Sequence, residues 1–212
     1  MAALDLQEQE QMEALKAWWH ENRNQVFGLL LVVIVAVGGW RGWQYYNQKQ
    51  IVEAATLYEG FTQQLESNDA KRINDAAAAM MEKFASSAYA SRATLLAARV
   101  NEEKKDSARA RTQLQWVVDH AGEDGLKDVA RLRLAAILID ENKYADALAL
   151  LNSPHPPSFD GLYSDLRGDV LSAQGKTEEA RSAYKLAYEK ADKQGAYRNL
   201  VEMKLDALGA AK

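Results

Sequence analysis

The distribution of apolar residues divides the chain into two parts that meet near residue 46. Residues 26–40 read VFGLLLVVIVAVGGW, without a charge or an amide, whereas from about Asn47 apolar residues recur at helical spacing between short polar breaks. A continuous apolar run is typical of a helix in lipid, and a periodic pattern is typical of helices that pack on one side. The pattern therefore predicts a membrane helix followed by a helical domain.

The predicted membrane helix needs its aromatic flank to span a bilayer. The 15 residues from Val26 to Trp40 rise about 23 Å, but the segment through Tyr46 rises about 31 Å, against a hydrocarbon core of roughly 30 Å. Arg41 lies near the end, where its long side chain reaches the headgroups, and the apolar residues outweigh its insertion cost. We predict a polar tail at 1–24, a membrane helix at 25–46 and a helical domain at 47–212. The predicted anchor residues are Val26, Phe27, Leu30, Val33, Val37, Trp40, Arg41 and Trp43.

A cleaved signal peptide is the alternative interpretation of the same segment. Ala36-Val37-Gly38 has the small-x-small pattern of a cleavage site. However, the preceding residues carry five acids against Lys16 and Arg23, whereas a signal peptide begins with a basic region. We therefore favour an uncleaved anchor.

Two further features of the anchor leave alternatives open. Gly38 and Gly42 have the GxxxG spacing that lets a second helix approach closely, although such spacing also occurs without a partner. Basic residues near the two ends of the span are balanced, so they do not decide the orientation. Because long domains cross membranes largely regardless of charge, we expect a cytoplasmic N-terminus and a translocated C-terminal domain.

The helical domain is predicted to contain about nine helices. Its polar breaks are 67–69, 86–87, 102–106, 122–125, 142–143, 153–158, 175–176 and 192–195. The segment Pro154-His155-Pro156-Pro157 is expected to be non-helical throughout, because each proline removes a backbone donor and restricts the residue before it.

An internal repeat is visible in the second helix of each predicted pair. Ala77, Ala110, Ala147 and Ala180 are 33, 37 and 33 residues apart. The residues four positions later are Met81, Leu114, Leu151 and Tyr184. A small residue followed one turn later by a large one, with a period near 34, is typical of tetratricopeptide-like repeats. We predict an all-α fold, with a single membrane helix followed by a tetratricopeptide-like solenoid and a capping helix at 197–208.

Composition and spacing argue against several kinds of chemistry. The chain has no cysteine, and its net charge is −4, of which residues 47–212 carry −2. A nearly neutral domain argues against nucleic acid as a partner. His20, His120 and His155 are far apart, and no phosphate-binding glycine loop or nucleophile elbow is present in the sequence. We predict no metal, no cofactor and no enzymatic activity.

The segment from Leu126 to Ile139 is apolar on nearly all sides and is a candidate for a partner-binding groove. If Ala135 takes the small packing position, Leu134 and Leu138 face the partner helix of the hairpin. A second stripe then remains for the concave side, where repeat proteins bind extended segments. The alternative is that neighbouring helices bury this stripe, and we favour that interpretation. The predicted groove residues are Val129, Leu132, Ala136, Ile139, Leu162, Asp165 and Asp169.

The order of tail, anchor and repeats resembles one known family over nearly the whole chain. The segments that carry the resemblance are Glu13–Lys16, Trp18-Trp19, Glu21-Asn22, Gly39–Trp43, Leu126-Lys127, Val129, Leu132–Ala135, Asp165–Asp169, Gly175-Lys176 and Ala180–Tyr184. They are similar to the YfgM family, the ancillary subunit of the bacterial Sec translocon. The acidic first twelve residues and the proline-rich loop depart from that pattern.

The resemblance implies a single-pass protein of the bacterial inner membrane, with a cytoplasmic N-terminus and a periplasmic repeat domain. It implies association with the SecYEG channel and with the membrane-anchored chaperone PpiD, and assistance to newly translocated, unfolded secreted proteins. It implies no catalysis and no cofactor. The alternatives are a scaffold for another envelope complex, an envelope-stress regulatory adaptor and a membrane-bound hydrolase.

Overall fold

The computed structural model describes residues 2–192 and 195–210, with side chains described between residues 8 and 209 of those ranges. Within them the chain forms nine α-helices, one short 3-10 helix and no strand, which confirms the predicted all-α class. The helices are α1 Ala2–Glu66, α2 Ala70–Lys83, α3 Ala88–Glu103, α4 Ser107–His120, α5 Asp124–Asp140, α6 Tyr144–Leu151, α7 Asp160–Ala173, α8 Thr177–Lys190 and α9 Ala196–Ala210.

The chain divides into two compact units, the first ending at Val52 and the second beginning at Glu53. Helix α1 contributes to both, because it contains the polar tail, the apolar run and residues 53–66 of the second unit. The predicted bounds 1–24, 25–46 and 47–212 follow composition along this continuous helix, and they stay predictions.

The second unit is built from helical hairpins that share one turn conformation. Asn68, Lys105, Asn142 and Gly175 have φ values of 52°, 65°, 59° and 74°, and each stands two residues after the end of a helix. Left-handed residues after a helix are typical C-terminal caps, for which glycine and asparagine are favoured. Asn68, Asn142 and Gly175 fit this preference, whereas Lys105 is a left-handed position that residue type does not reveal.

The repeat alanines lie at the centre of the hairpin packing. Ala77, Ala110, Ala147 and Ala180 are all fully buried. Leu114, Leu151 and Tyr184, four residues after the last three of these, are buried as well. In the first hairpin the neighbouring Met80 takes the fully buried place, and Met81 is only half-buried.

In the terminal hairpin, α7 and α8 pack so closely at Gly168 that a side chain at this position would not fit without a shift. A Cβ built at Gly168 would lie 3.0 Å from Cγ of Tyr184 and closer still to two other ring atoms. Glycine at this point therefore lets α7 approach the ring of Tyr184 on α8.

The proline-rich loop corrects one prediction. Residues 154–156 are non-helical as expected, but Pro157–Phe159 forms a 3-10 helix that begins with Pro157. Proline at the first position of a helix costs no hydrogen bond, because its missing N–H would have no intrahelical partner there. The expectation of a fully non-helical segment was therefore wrong at its last residue.

Candidate partner-binding surfaces

Helix α1 contains a stretch long and apolar enough to cross a membrane. None of that apolar stretch is buried within the structure, whereas an apolar helix in the core of a globular protein would be largely covered. The predicted anchor residue Val26 is half-buried. The exposed anchor residues are Phe27, Leu30, Val33, Val37, Trp40, Arg41 and Trp43.

The two glycines of the GxxxG pair face open space. A Cβ built at Gly38 or at Gly42 would meet nothing within 4 Å. The pair therefore leaves a strip of α1 without side chains, and its role in packing against a second helix stays a prediction.

The predicted groove residues on α5 do not share one environment. Val129, Ala136 and Ile139 are half-buried, and Val129 and Ile139 pack against the large central core. Leu132 is 9% exposed and belongs to that core. The stripe at Val129, Ala136 and Ile139 is thus partly accessible, while Leu132 serves mainly to pack the hairpins.

The predicted groove residues on α7 are partly covered by the last helix. Leu162 is 39% exposed, whereas Asp165 is only 6% exposed. Lys204 of α9 reaches both carboxylates, with Nζ 2.8 Å from Asp165 Oδ1 and 2.7 Å from Asp169 Oδ1. The chain's own α9 therefore occupies the space beside Asp165 and Asp169, and the seven predicted residues do not line one continuous open groove.

Two tyrosines complete this C-terminal charge cluster. The hydroxyl of Tyr184 donates to Asp169 Oδ1 at 2.7 Å, and that of Tyr197 donates to the carbonyl of Gly161 at 3.3 Å. Burial, followed by the neighbouring aspartates, raises the pKa of both phenols.

The aspartate and lysine of the cluster also have shifted pKa values. Burial raises the pKa of Asp165 despite its bond to Lys204. Burial alone would lower the pKa of Lys204, but hydrogen bonds to Asp165 and Asp169 outweigh it, and its pKa is raised. The cluster binds α9 to α7, and nothing in it requires a ligand.

A second polar network joins the first two hairpins. Asn101 Nδ2 donates to Asn74 Oδ1 at 2.8 Å and to Gln113 Oε1 at 2.7 Å. Asn74 Nδ2 donates back to Asn101 Oδ1 at 2.9 Å, and Gln113 Nε2 donates to Asn74 Oδ1 at 2.8 Å. These three buried amides come from α2, α3 and α4 and satisfy one another. Sequence analysis missed them, because amides 12 to 39 residues apart carry no common pattern.

A third buried polar group lies between α5 and α7. Asp128, 1% exposed, accepts from Tyr163 at 2.8 Å and from Arg131 at 2.8 Å, both on Oδ1. Burial, and then the bond to Asp128, raises the pKa of Tyr163. His155 stacks on Tyr163 with ring centroids 3.8 Å apart and covers this pair from the proline-rich loop.

Each of the three histidines has its own surroundings. His20 is exposed on α1, His120 places Nδ1 2.9 Å from the carbonyl of Trp116, and His155 has Nε2 3.5 Å from Asp160. In the part of the chain that the structure describes, no three or more His, Cys, Asp or Glu side chains are arranged to hold a metal ion.

The hairpins, buried repeat alanines and terminal helix together define a tetratricopeptide-like protein. The sequence model of the tetratricopeptide repeat-like domain matches residues 16–210, and the chain belongs to that family. Its matched range includes the apolar part of α1 as well as the hairpins.

Curated relatives identify the particular branch of this class. The chain is 29% identical over 207 residues to the ancillary SecYEG translocon subunit of Neisseria gonorrhoeae, which covers 97% of this chain and 99% of that protein. It is 27% identical to the protein of the same name from Haemophilus influenzae, covering 97% and 100%. It is 29% identical to that of Escherichia coli K12, covering 95% and 96%. These relatives confirm the predicted resemblance to the YfgM family. No solved structure gives a significant match.

Proposed function

We propose that the protein is a non-enzymatic ancillary subunit of the Sec translocon that links the SecYEG channel to the periplasmic chaperone PpiD and assists newly translocated proteins. The observation that carries this proposal is the end-to-end similarity to proteins named ancillary SecYEG translocon subunit. These names and the tetratricopeptide-like domain suggest a binding role without catalysis.

The proposed location is the bacterial inner membrane, crossed once by α1. The translocon-related names of the relatives and the exposed apolar stretch of α1 fit a single-pass inner-membrane protein. We propose a cytoplasmic N-terminus and a periplasmic repeat domain, because a long domain crosses with little regard to charge. Cysteines introduced at Glu8 and at Glu202, labelled from one side of intact cells, test this orientation.

Co-purification from mild detergent is the direct test of the proposed partners. The full chain is expected to retain SecYEG subunits and PpiD. A matched chain in which the apolar run 26–40 is replaced by that of an unrelated single-pass protein separates recruitment by the membrane helix from recruitment by the repeat domain. Recovery of a different envelope complex instead would favour a scaffold or an envelope-stress adaptor and would contradict the proposed role.

The accessible stripe on α5 and α7 is the proposed contact surface for a partner or a client chain. It consists of Val129, Ala136, Ile139 and Leu162, three of them half-buried and Leu162 exposed. Apolar side chains that remain partly accessible on neighbouring helices are suited to bind an apolar segment. Leu132 would support this surface from beneath, and Asp165 and Asp169 would lie at its end.

A charge within the stripe tests that assignment. Ile139→Asp is expected to leave a folded protein that no longer retains PpiD or a translocating chain. Ala145→Asp, at an exposed position on α6, is the control and should change neither property. If Ile139→Asp instead unfolds the repeat domain, the stripe belongs to the core and the surface assignment is wrong.

A further inference from the structure

A second surface lies on the other side of α5, in a trough between α4 and α6. The trough has a volume of about 800 Å³, within the range of roughly 300 to 1,000 Å³ usual for binding clefts. Its floor is formed by Leu134 and Leu138 of α5, which are 5% and 8% exposed. The half-buried side chains of Trp116 and Leu150 form apolar parts of the two walls.

Helical periodicity separates this trough from the stripe that contains Val129 and Ile139. At about 100° per residue, Leu134 and Leu138 point about 160° away from the mean direction of that stripe. Helix α5 therefore contributes to two surfaces that one partner helix cannot cover at once. Two separate surfaces are what a protein needs in order to hold two partners together.

The charges around the trough are unbalanced. Among the described residues that line it, Arg111 is the one arginine or lysine, and its guanidinium already lies 3.2 Å from Glu141. Asp119 and Asp146 also line the trough. Within the described residues neither carboxylate is paired with a cation, since Asp119 only accepts from the amide of Gln115 at 2.9 Å. The apolar floor is therefore accompanied by two carboxylates that a basic partner would neutralise.

The dimensions of the trough fit a short helix. Its α4 wall extends from Ala108 to His120, which is about 18 Å or a little over three helical turns at 1.5 Å per residue. Trp116 lines this wall, and its half-buried ring stacks on His120 with centroids 4.6 Å apart. A tryptophan in an apolar depression is typical of the centre of a protein interface.

We infer that the trough binds a short amphipathic helix of a partner protein, with an apolar stripe on one face and lysine or arginine at its flanks. The apolar stripe lies against Leu134, Leu138 and Trp116, and the basic flanks pair with Asp119 and Asp146. Apolar burial supplies most of the affinity, and the charges set orientation and association rate. This surface goes beyond the proposed translocon role, and its test does not require any Sec component.

The test uses the full chain in nanodiscs of zwitterionic lipid and a fluorescein-labelled peptide of 14 residues. The peptide carries leucines at helical spacing and a lysine pair at each end, and a matched peptide carries glutamates at the ends. By fluorescence anisotropy, the lysine peptide is expected to bind at least about tenfold more tightly, with an affinity that falls as salt is added. Equal binding of the two peptides would overturn the proposal.

Variants of the trough locate the binding site. Ala149→Trp fills the trough from α6 and is expected to weaken binding of the lysine peptide at least about tenfold. Ala145→Trp, on the same helix but outside the lining, is the matched control and should bind normally. The double variant Asp119→Asn and Asp146→Asn should remove most of the preference for lysine over glutamate. Wild-type binding by Ala149→Trp would overturn the assignment.

Other occupants give distinct results. A peptide of the same composition with a central Pro-Pro pair cannot form a continuous helix. If it binds as tightly as the helical peptide, the trough takes an extended segment and the inference of a helix is wrong. If Ala149→Trp dissociates a dimer in analytical ultracentrifugation and no peptide binds, the occupant is a second copy of the chain, which also contradicts the proposal.

Discussion

The first hairpins and the last one join their helices through different kinds of polar contact. Asn74, Asn101 and Gln113 between α2, α3 and α4 are neutral, and their amides satisfy one another. Between α7 and α9, Lys204 bridges two aspartates. The neutral network sits inside the solenoid, whereas the charged cluster lies under its terminal helix. We infer that the amides fix the register of neighbouring hairpins, and that the charges hold α9 as a cap.

The difference has an energetic meaning. A satisfied neutral amide network carries no cost of burying charge, but it tolerates no change of donor into acceptor. A partly exposed ion pair gains less because water screens it, yet removing one partner leaves the other charge without compensation. A substitution that keeps the size of a side chain but exchanges a donor for an acceptor should therefore destabilise the interior of the solenoid. Loss of one charge should destabilise its end.

The largest effect is expected for Asn101→Asp, which is nearly isosteric. It replaces the amide nitrogen that donates to Asn74 and Gln113 with an acceptor, at a residue only 2% exposed. The free energy of unfolding should fall by about 3 kcal/mol in urea titrations at neutral pH, because a buried charge is left without a partner. Asn199→Asp, at an exposed position, is the control. A loss below about 1 kcal/mol for Asn101→Asp would show that the network is not a closed one.

A somewhat smaller loss is expected for Lys204→Met, which keeps the apolar stem and removes the charge. Its side chain is 25% exposed, so the loss should be about 2 kcal/mol, below the roughly 3 to 5 kcal/mol for a fully buried pair. Hydrogen exchange should rise in α9 and leave α2–α4 unchanged. Uniform exchange along the repeat domain would contradict the separate roles of the two contacts. Lys185→Met on the exposed side of α8 is the control.

A loss of similar or smaller size is expected for Gly168→Ala, which tests the close approach of α7 to α8. The added methyl group meets the ring of Tyr184, and such overpacking costs about 1 to 3 kcal/mol. Gly125→Ala on α5 has open space around the new methyl group and should be neutral or slightly stabilising in thermal unfolding. Equal effects of the two substitutions would mean that the terminal hairpin relaxes freely.

The smallest effect is expected from alkaline pH, which should destabilise the charge cluster between α7 and α9 before the amide network between α2, α3 and α4. The folded-state pKa values of Lys204, Tyr184 and Tyr197 lie above their unfolded values of 10.5 and 10.0. The stability that they contribute is complete below pH 10 and is lost as the pH rises through the folded pKa values. The slope should be up to about 1.4 kcal/mol per pH unit for each proton that only the folded state retains.

The control for the alkaline experiment is a variant of the cluster itself. Tyr184→Phe should reduce the steepness of the loss above pH 10, and hydrogen exchange should show α9 opening before α2–α4. Asp165 adds no loss of stability at low pH. Its pKa is raised in the folded state, so its protonation stabilises the fold rather than destabilising it. Earlier opening of the amide junction would contradict the comparison.

Local sequence patterns predicted the helices, but they did not predict the long-range contacts between side chains. The hairpins were predicted from the polar breaks and from the spacing of Ala77, Ala110, Ala147 and Ala180. This was possible because helix caps and small packing positions depend on residues that are close in sequence. The amide network was not predictable, because its three amides come into contact only when α2, α3 and α4 pack together. Asp165 and Asp169 were assigned to a groove because nothing local reveals that Lys204, more than 30 residues later, pairs with them.

Site-specific photocrosslinking in cells tests the central proposal, which is that α1 anchors this repeat protein in the membrane and that the protein acts by binding proteins of the translocon. A photoreactive amino acid is placed at Leu30 in the membrane helix, at Ile139 in the α5 stripe and at exposed Asp75 as a control. The account predicts adducts with a channel subunit from Leu30 and with PpiD or a secretory chain from Ile139, and none from Asp75. Adducts that are absent from both test positions, or identical at all three, would contradict it.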